Sequence, residues 1–171
     1  MGHVFSDLEG LRIAVEMEKR GEAFYRRAAK ISHSPQTVSL LNALADEECL
    51  HGQEFQALYD RECAQRERAG DEPCPCEEAY DSEVSAYLSA IAADIIFPGG
   101  LMALRQAGFD NPEAVFRAAI ASEKDSILFY EELARCARDA HAQSVFMEIA
   151  CQERSHMLRL QRQLENLLNN G

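Results

Sequence analysis

Apolar positions recur three and four residues apart along most of the chain, the spacing of one buried helical face, and strict alternation of strand type is absent. The first such stretch runs from Ser6 or Asp7, either of which can cap a helix, to about Ile31. Its stripe is Leu8, Leu11, Ala14, Val15, Phe24, Tyr25 and Ala28. Ser34-Pro35 then supplies a cap followed by proline at a first helical position, opening a second helix over 35–69. Asn111-Pro112-Glu113 opens a third over about 112–139, and a fourth covers about 142–168. Between the second and third lies a different kind of segment, about 70–111: a polar, proline-containing loop, a shorter helix at 83–97 stopped by Pro98-Gly99-Gly100, and a helical turn at 101–106. The pattern predicts an all-α protein of one domain spanning residues 1–171. It is a four-helix bundle whose long crossover carries an additional short helix and lets the second and third helices run parallel. That crossover helix, with Val84, Tyr87, Leu88, Ile91, Ile95 and Ile96, has apolar surface to cover the bundle or a second subunit, so a homodimer is expected.

Sliding the chain against itself by 105 residues brings the long helices into register. Glu18-Lys19 falls on Glu123-Lys124, Phe24-Tyr25 on Phe129-Tyr130, Arg12 on Arg117, Ala14 on Ala119, Ala45 on Ala150, Glu48 on Glu153 and His51 on His156. One offset serves both helix pairs, as expected of two similar hairpins packed about a pseudo-two-fold axis.

The polar members of this repeat carry the chemistry. Glu48 and His51 are three apart on a helix and share a face, and Glu153 and His156 repeat the arrangement. Glu18 and Glu123 sit within apolar stripes, where a carboxylate is costly unless it is paired or bound to a cation. A glutamate from each of two helices plus Glu-x-x-His from each of the other two is the donor set of a carboxylate-bridged two-metal site. The offset also sorts neighbouring acids. Glu47 falls on Gln152, which cannot replace a carboxylate ligand, and Glu16 and Glu22 fall on Ala121 and Ile127. Glu47 and Gln152 are therefore cast as groups holding the other ring nitrogen of the opposite histidine. Tyr25 and Tyr130, two turns from a candidate ligand on the same face, read as packing residues in preference to redox relays.

With 29 acidic and 17 basic residues the formal net charge is −12, which excludes a nucleic-acid binder, since neutralising phosphate needs an excess of clustered Lys and Arg. Two divalent cations among Glu18, Glu48, Glu123 and Glu153 would cancel four of those charges, and the remaining acidity suits a soluble surface. No basic region followed by an apolar run stands at the start, and no segment approaches the length of a membrane span, so a cytoplasmic protein without membrane association is expected. Met1 to Ser6 fits the loose myristoylation pattern, but reads as an ordinary start followed by a helix cap. The six cysteines read as free thiols. Cys74-Pro75-Cys76 lacks the paired CxxC of a zinc or rubredoxin-type site and reads as two thiols in a flexible loop.

The segments Glu18–Tyr25, Leu44–His51, Glu123–Tyr130 and Glu153–His156 together resemble the rubrerythrin-like branch of the ferritin-like superfamily. The resemblance implies Glu18 and Glu123 as terminal ligands, Glu48 and Glu153 as bridges, and His51 and His156 as nitrogen ligands of two irons, with manganese or a mixed pair as alternatives. It further implies a non-haem di-iron redox protein reacting with hydrogen peroxide or dioxygen, or else a ferroxidase acting on Fe(II), or a redox-sensing module with little turnover. Typical rubrerythrins add a glutamate one turn from the third-helix ligand and a rubredoxin-like module. Here Ile120 and Ser126 flank Glu123 and no paired CxxC occurs, so any electron donor is expected to be a separate protein.

Overall fold

The computed structural model describes residues 6–69, 82–96 and 111–169. Among these, five helices follow one another: α1 (Asp7–Ile31), α2 (Pro35–Ala69), α3 (Ser82–Ile96), α4 (Pro112–Cys136) and α5 (Ala140–Asn169). The helical turn expected at 101–106, the starting residues of the chain, and Cys74 and Cys76 lie outside the described residues, as do the side chains of Ile91, Ile95 and Ile96.

Helix starts follow local chemistry. Ser6, with extended backbone, accepts the Glu9 N–H on its hydroxyl, and Asn111 accepts the N–H groups of Glu113 and Ala114 just ahead of Pro112. Ser34 serves α2 in the same way through the Thr37 N–H. The break between α4 and α5 differs from the sequence expectation. The fourth helix ends at Cys136, three residues before the expected 139, and α5 starts at Ala140 instead of 142. The cause is Asp139, which leaves the first helix to cap the second: its carboxylate accepts the Ala142 N–H at 2.8 Å and its carbonyl accepts the Gln143 N–H. Arg61 on α2 holds the same carboxylate at 2.8 Å.

The long helices pack as two hairpins, α1 with α2 and α4 with α5, with the close connections that make each pair antiparallel. Contacts between hairpins run the same way. Tyr25 reaches Glu123 while Tyr130 reaches Glu18, and His51 meets Gln152 while His156 meets Glu47, so positions rise along one helix as they fall along its partner. Hence α1 opposes α4, α2 opposes α5, and α2 runs parallel to α4, which is why a long crossover joins them. Within the crossover, α3 lies against α4 and α1, and Leu88 is fully buried there. Its described apolar surface thus covers this bundle, although Tyr87 stays exposed.

Two apolar clusters fill the bundle, one at each end. The first gathers Leu11, Phe55, Phe129, Tyr130, Phe146 and Ile149 among others, and the second Phe24, Tyr25, Leu41, Leu44, Phe116 and Leu160. The 105-residue offset exchanges them: Phe24, Tyr25, Leu41 and Leu44 of one are Phe129, Tyr130, Phe146 and Ile149 of the other. The pseudo-two-fold axis therefore passes between the clusters, through a polar layer at mid-bundle.

Candidate metal centre

That layer contains all six repeated residues. Glu18, Glu48, His51, Glu123, Glu153 and His156 converge from four helices, each no more than 5% exposed. Helical phase is the reason: Glu48 and His51 occupy one face of α2, Glu153 and His156 the matching face of α5, and Glu18 and Glu123 interrupt the inward stripes of α1 and α4. The rings of His51 and His156 lie stacked with centroids 5.4 Å apart.

Donor atoms fall into two overlapping sets. Glu18, Glu48, His51 and Glu153 form one, and Glu48, Glu123, Glu153 and His156 the other, with the offered atoms of each set all within 4.8 Å of one another. Glu48 and Glu153 belong to both. Five atoms in this small space, Glu18 Oε2, both oxygens of Glu153 and the Nδ1 atoms of His51 and His156, are buried without any hydrogen-bond partner. They are not far from partners: His51 Nδ1 lies 2.9 Å from Glu153 Oε1, and His156 Nδ1 lies 3.0 Å from Glu153 Oε2 and 3.2 Å from Glu48 Oε1. The atoms point at a common space, not along one another's hydrogen-bond directions. Each unsatisfied buried polar atom costs about 1–3 kcal/mol, so five in one place require something to satisfy them. Two divalent cations would do so, and the oxygen and imidazole donors suit iron or manganese.

Electrostatics without a cation point the same way. Burial, then the charge of Glu18, pushes Glu48 well above the usual carboxylate range, and burial followed by Glu153 does the same to Glu123. Burial also works to raise Glu153, but the close His156 and His51 imidazoles outweigh it and hold that carboxylate below its ordinary value. For His51, burial opposes the charge, yet Glu153 and Glu18 prevail and the imidazolium persists to about 11. Protons thus stand where metal charge would otherwise be needed.

The surrounding groups repeat with the same symmetry. Gln152 Oε1 meets His51 Nε2 at 2.9 Å, and Glu47 Oε2 meets His156 Nε2 at 2.7 Å, the crosswise placement expected for this pair. Each histidine therefore turns Nδ1 to the cluster and has its far nitrogen held from the opposite hairpin. The tyrosines do more than the packing expected of them. Their rings belong to the apolar clusters, but the Tyr25 hydroxyl donates to Glu123 and the Tyr130 hydroxyl to Glu18. Burial, together with those carboxylates, raises both phenols well above their usual range and keeps them as donors.

Three features were missed in the sequence. Arg159 anchors Glu47 at 2.6 Å, and its repeat position is Glu54, so the offset gave no hint. Gly21 and Gly52 allow helices α1 and α2 to approach at the site. A Cβ on Gly21 would lie 3.1 Å from Glu48 Oε2, and one on Gly52 would lie 3.3 Å from the Cβ of Glu18. Both glycines are one residue or one turn from a ligand position, which is the signal available in the sequence.

Comparison with known proteins bears on this arrangement. Residues 114–170, which include Glu123, Glu153 and His156, match the family model described as Rubrerythrin. That segment is rubrerythrin-like. Two solved structures share the fold across nearly the whole chain. One, from Thermotoga maritima, is named as a ferritin-like diiron-carboxylate protein; it superposes with a TM-score of 0.68 at 24% identity, covering 96% of this chain and 98% of that one. The other, a hypothetical protein from Pyrococcus furiosus, gives a TM-score of 0.64 at 21% identity and covers 96% and 92%. No curated protein matches in sequence. The bundle therefore has the all-α fold of these two proteins, and among its described residues no helix is long and apolar enough to cross a membrane.

Proposed function

We propose that this rubrerythrin-like protein holds two iron ions and uses them to reduce hydrogen peroxide or dioxygen. The observation that carries this reading is the pair of overlapping donor sets whose buried atoms lack partners. Glu18 and His51 would serve one ion, Glu123 and His156 the other, and Glu48 and Glu153 both. A reduced iron pair supplies two electrons to an O–O bond, which with two protons converts peroxide to two waters. The protein's own residues do the rest. The two apolar clusters exclude water from either end of the site. Tyr25 and Tyr130 donate hydrogen bonds to the outer oxygens of Glu123 and Glu18 and hold those carboxylates in place. Glu47 and Gln152 fix the histidine rings. Electrons would come from a separate donor protein.

A ferroxidase is the second reading, and one observation favours it. One turn beyond Glu18 stands Gly21, and one turn beyond Glu123 stands Ser126, so neither position adds a seventh carboxylate. The balanced six-residue set then suits oxidation of incoming Fe(II) as well as peroxide turnover.

Anaerobic Fe(II)-loaded protein should be mixed separately with peroxide and with dioxygen while ferric absorption and oxidant consumed per iron are followed. Fast peroxide use with slow dioxygen use is expected for the first reading, and turnover of more than two Fe(II) per chain for the second. Protein that takes up no metal, with Glu48→Ala and His156→Ala indistinguishable from the parent, would sink both.

A further inference from the structure

The 105-residue symmetry holds for all six donors and for both tyrosines, but it fails just outside them. Behind His156 stands the Glu47 carboxylate, 2.7 Å from Nε2 and itself tied to the Arg159 guanidinium at 2.6 Å. Behind His51 stands the neutral Gln152 amide at 2.9 Å. The residue matching Arg159 in the other half is Glu54, so the arginine that fixes Glu47 has no counterpart at that repeat position. A ring nitrogen that donates to a carboxylate leaves more electron density on the other nitrogen than one that donates to an amide, and so makes a stronger metal ligand. A second break in symmetry is independent of the first. On α1, which also supplies Glu18, Gly21 leaves bare backbone beside Glu48, whereas its counterpart on α4, Ser126, carries a side chain. The Glu48 carboxylate, whose Oε1 lies 3.2 Å from His156 Nδ1, thus has clearance at its Oε2 that a side chain would remove.

We propose that the two metal positions are inequivalent: the one at His156, backed by Glu47 and Arg159, holds its ion tightly, and the one at His51, backed by Gln152, is the exchangeable position. The assignment rests on the two-metal reading above and adds which position turns over. Under the ferroxidase reading, the His51 position is where Fe(II) enters and leaves.

Glu47 and Gln152 act here as positioning residues, through the histidines. Their test is anaerobic titration of metal-free protein with Co(II), followed by ligand-field absorption and calorimetry. The parent should bind two ions in steps about 10–100-fold apart in affinity. His156→Ala should abolish the tighter step and His51→Ala the weaker. Glu47→Gln, at a part-exposed position that tolerates the change, should weaken the tighter step by about 10–100-fold and bring the two together. Gln152→Glu gives the converse comparison and should strengthen the weaker step. Two equal steps in the parent, an unchanged separation in both Glu47→Gln and Gln152→Glu, or a tight step that survives His156→Ala would overturn the inequivalence while leaving a two-metal site. Failure of the parent to bind two ions would instead overturn the two-metal reading itself.

Discussion

Four buried carboxylates cannot all ionise side by side without cations, and the titration of individual residues follows from that. His51 has a folded-state value of about 11 against an ordinary 6.5, so its proton contributes stability in full below pH 6.5 and that contribution is lost as pH climbs toward 11. The raised values of Glu48 and Glu123 act in the same direction, because these groups must be deprotonated in a buried place as pH rises above the ordinary carboxylate range of about 4. Glu153 is opposite in sign, its contribution being lost only as pH falls below that range. Metal-free protein should therefore melt at a lower temperature at pH 9 than at pH 6 in calorimetry. An unchanged or higher melting temperature at pH 9 would mean that the site does not hold protons in place of metal. The six donors were legible at this scale because each occurs twice at one offset. Arg159 was not, because it occurs once and its partner Glu47 lies in the other hairpin, 112 positions away.

Elements begin and end where side chains can satisfy free backbone groups, and most of those signals are local. Ser34 and Asn111 mark helix starts that sequence alone identifies, and at the first helix, where Ser6 and Asp7 could each cap, Ser6 does so. Asp139 is the instructive exception. In sequence it extends the α4 pattern by a turn, but its carboxylate is worth more as the cap of α5, where the Ala142 N–H and the Arg61 guanidinium both reach it. Replacing it tests that account. Asp139→Ala should lower stability by about 0.5–2 kcal/mol in urea unfolding, with the larger loss expected here because the cap is also tied to α2. Arg61→Met should recover only the part due to the ion pair, since the backbone N–H bond remains. A loss in Asp139→Ala no greater than that in Arg61→Met would assign the whole effect to the pair and none to the cap.

At the scale of the whole molecule, the two hairpins bury apolar clusters at both ends of the bundle and leave an electrostatic deficit between them. The fold is held by the clusters, and cations in the proposed site would relieve the deficit. Each bound ion should stabilise the protein by about 2.7 kcal/mol at a free-metal concentration one hundred times its dissociation constant. Metal should also displace protons from Glu48, Glu123 and His51, so that calorimetric uptake in buffers of different ionisation enthalpy shows net proton release and affinity weakens as pH falls. Uptake with no proton release would place the bound ions elsewhere than in this layer.

Helical periodicity, caps and the 105-residue repeat determined by sequence alone that the chain is all-α, that four long helices pair as two related hairpins, and which four glutamates and two histidines face the interior. These are properties of phase and spacing, which a helix transmits directly from chain to space. Tertiary structure alone decided what lies beside those residues: phenol hydroxyls on Glu18 and Glu123, a carboxylate with its arginine behind one histidine and an amide behind the other, and a glycine beside Glu48. Such contacts join helices remote in sequence, so their distances depend on how the hairpins dock, and docking is set by the two apolar clusters acting together across the bundle.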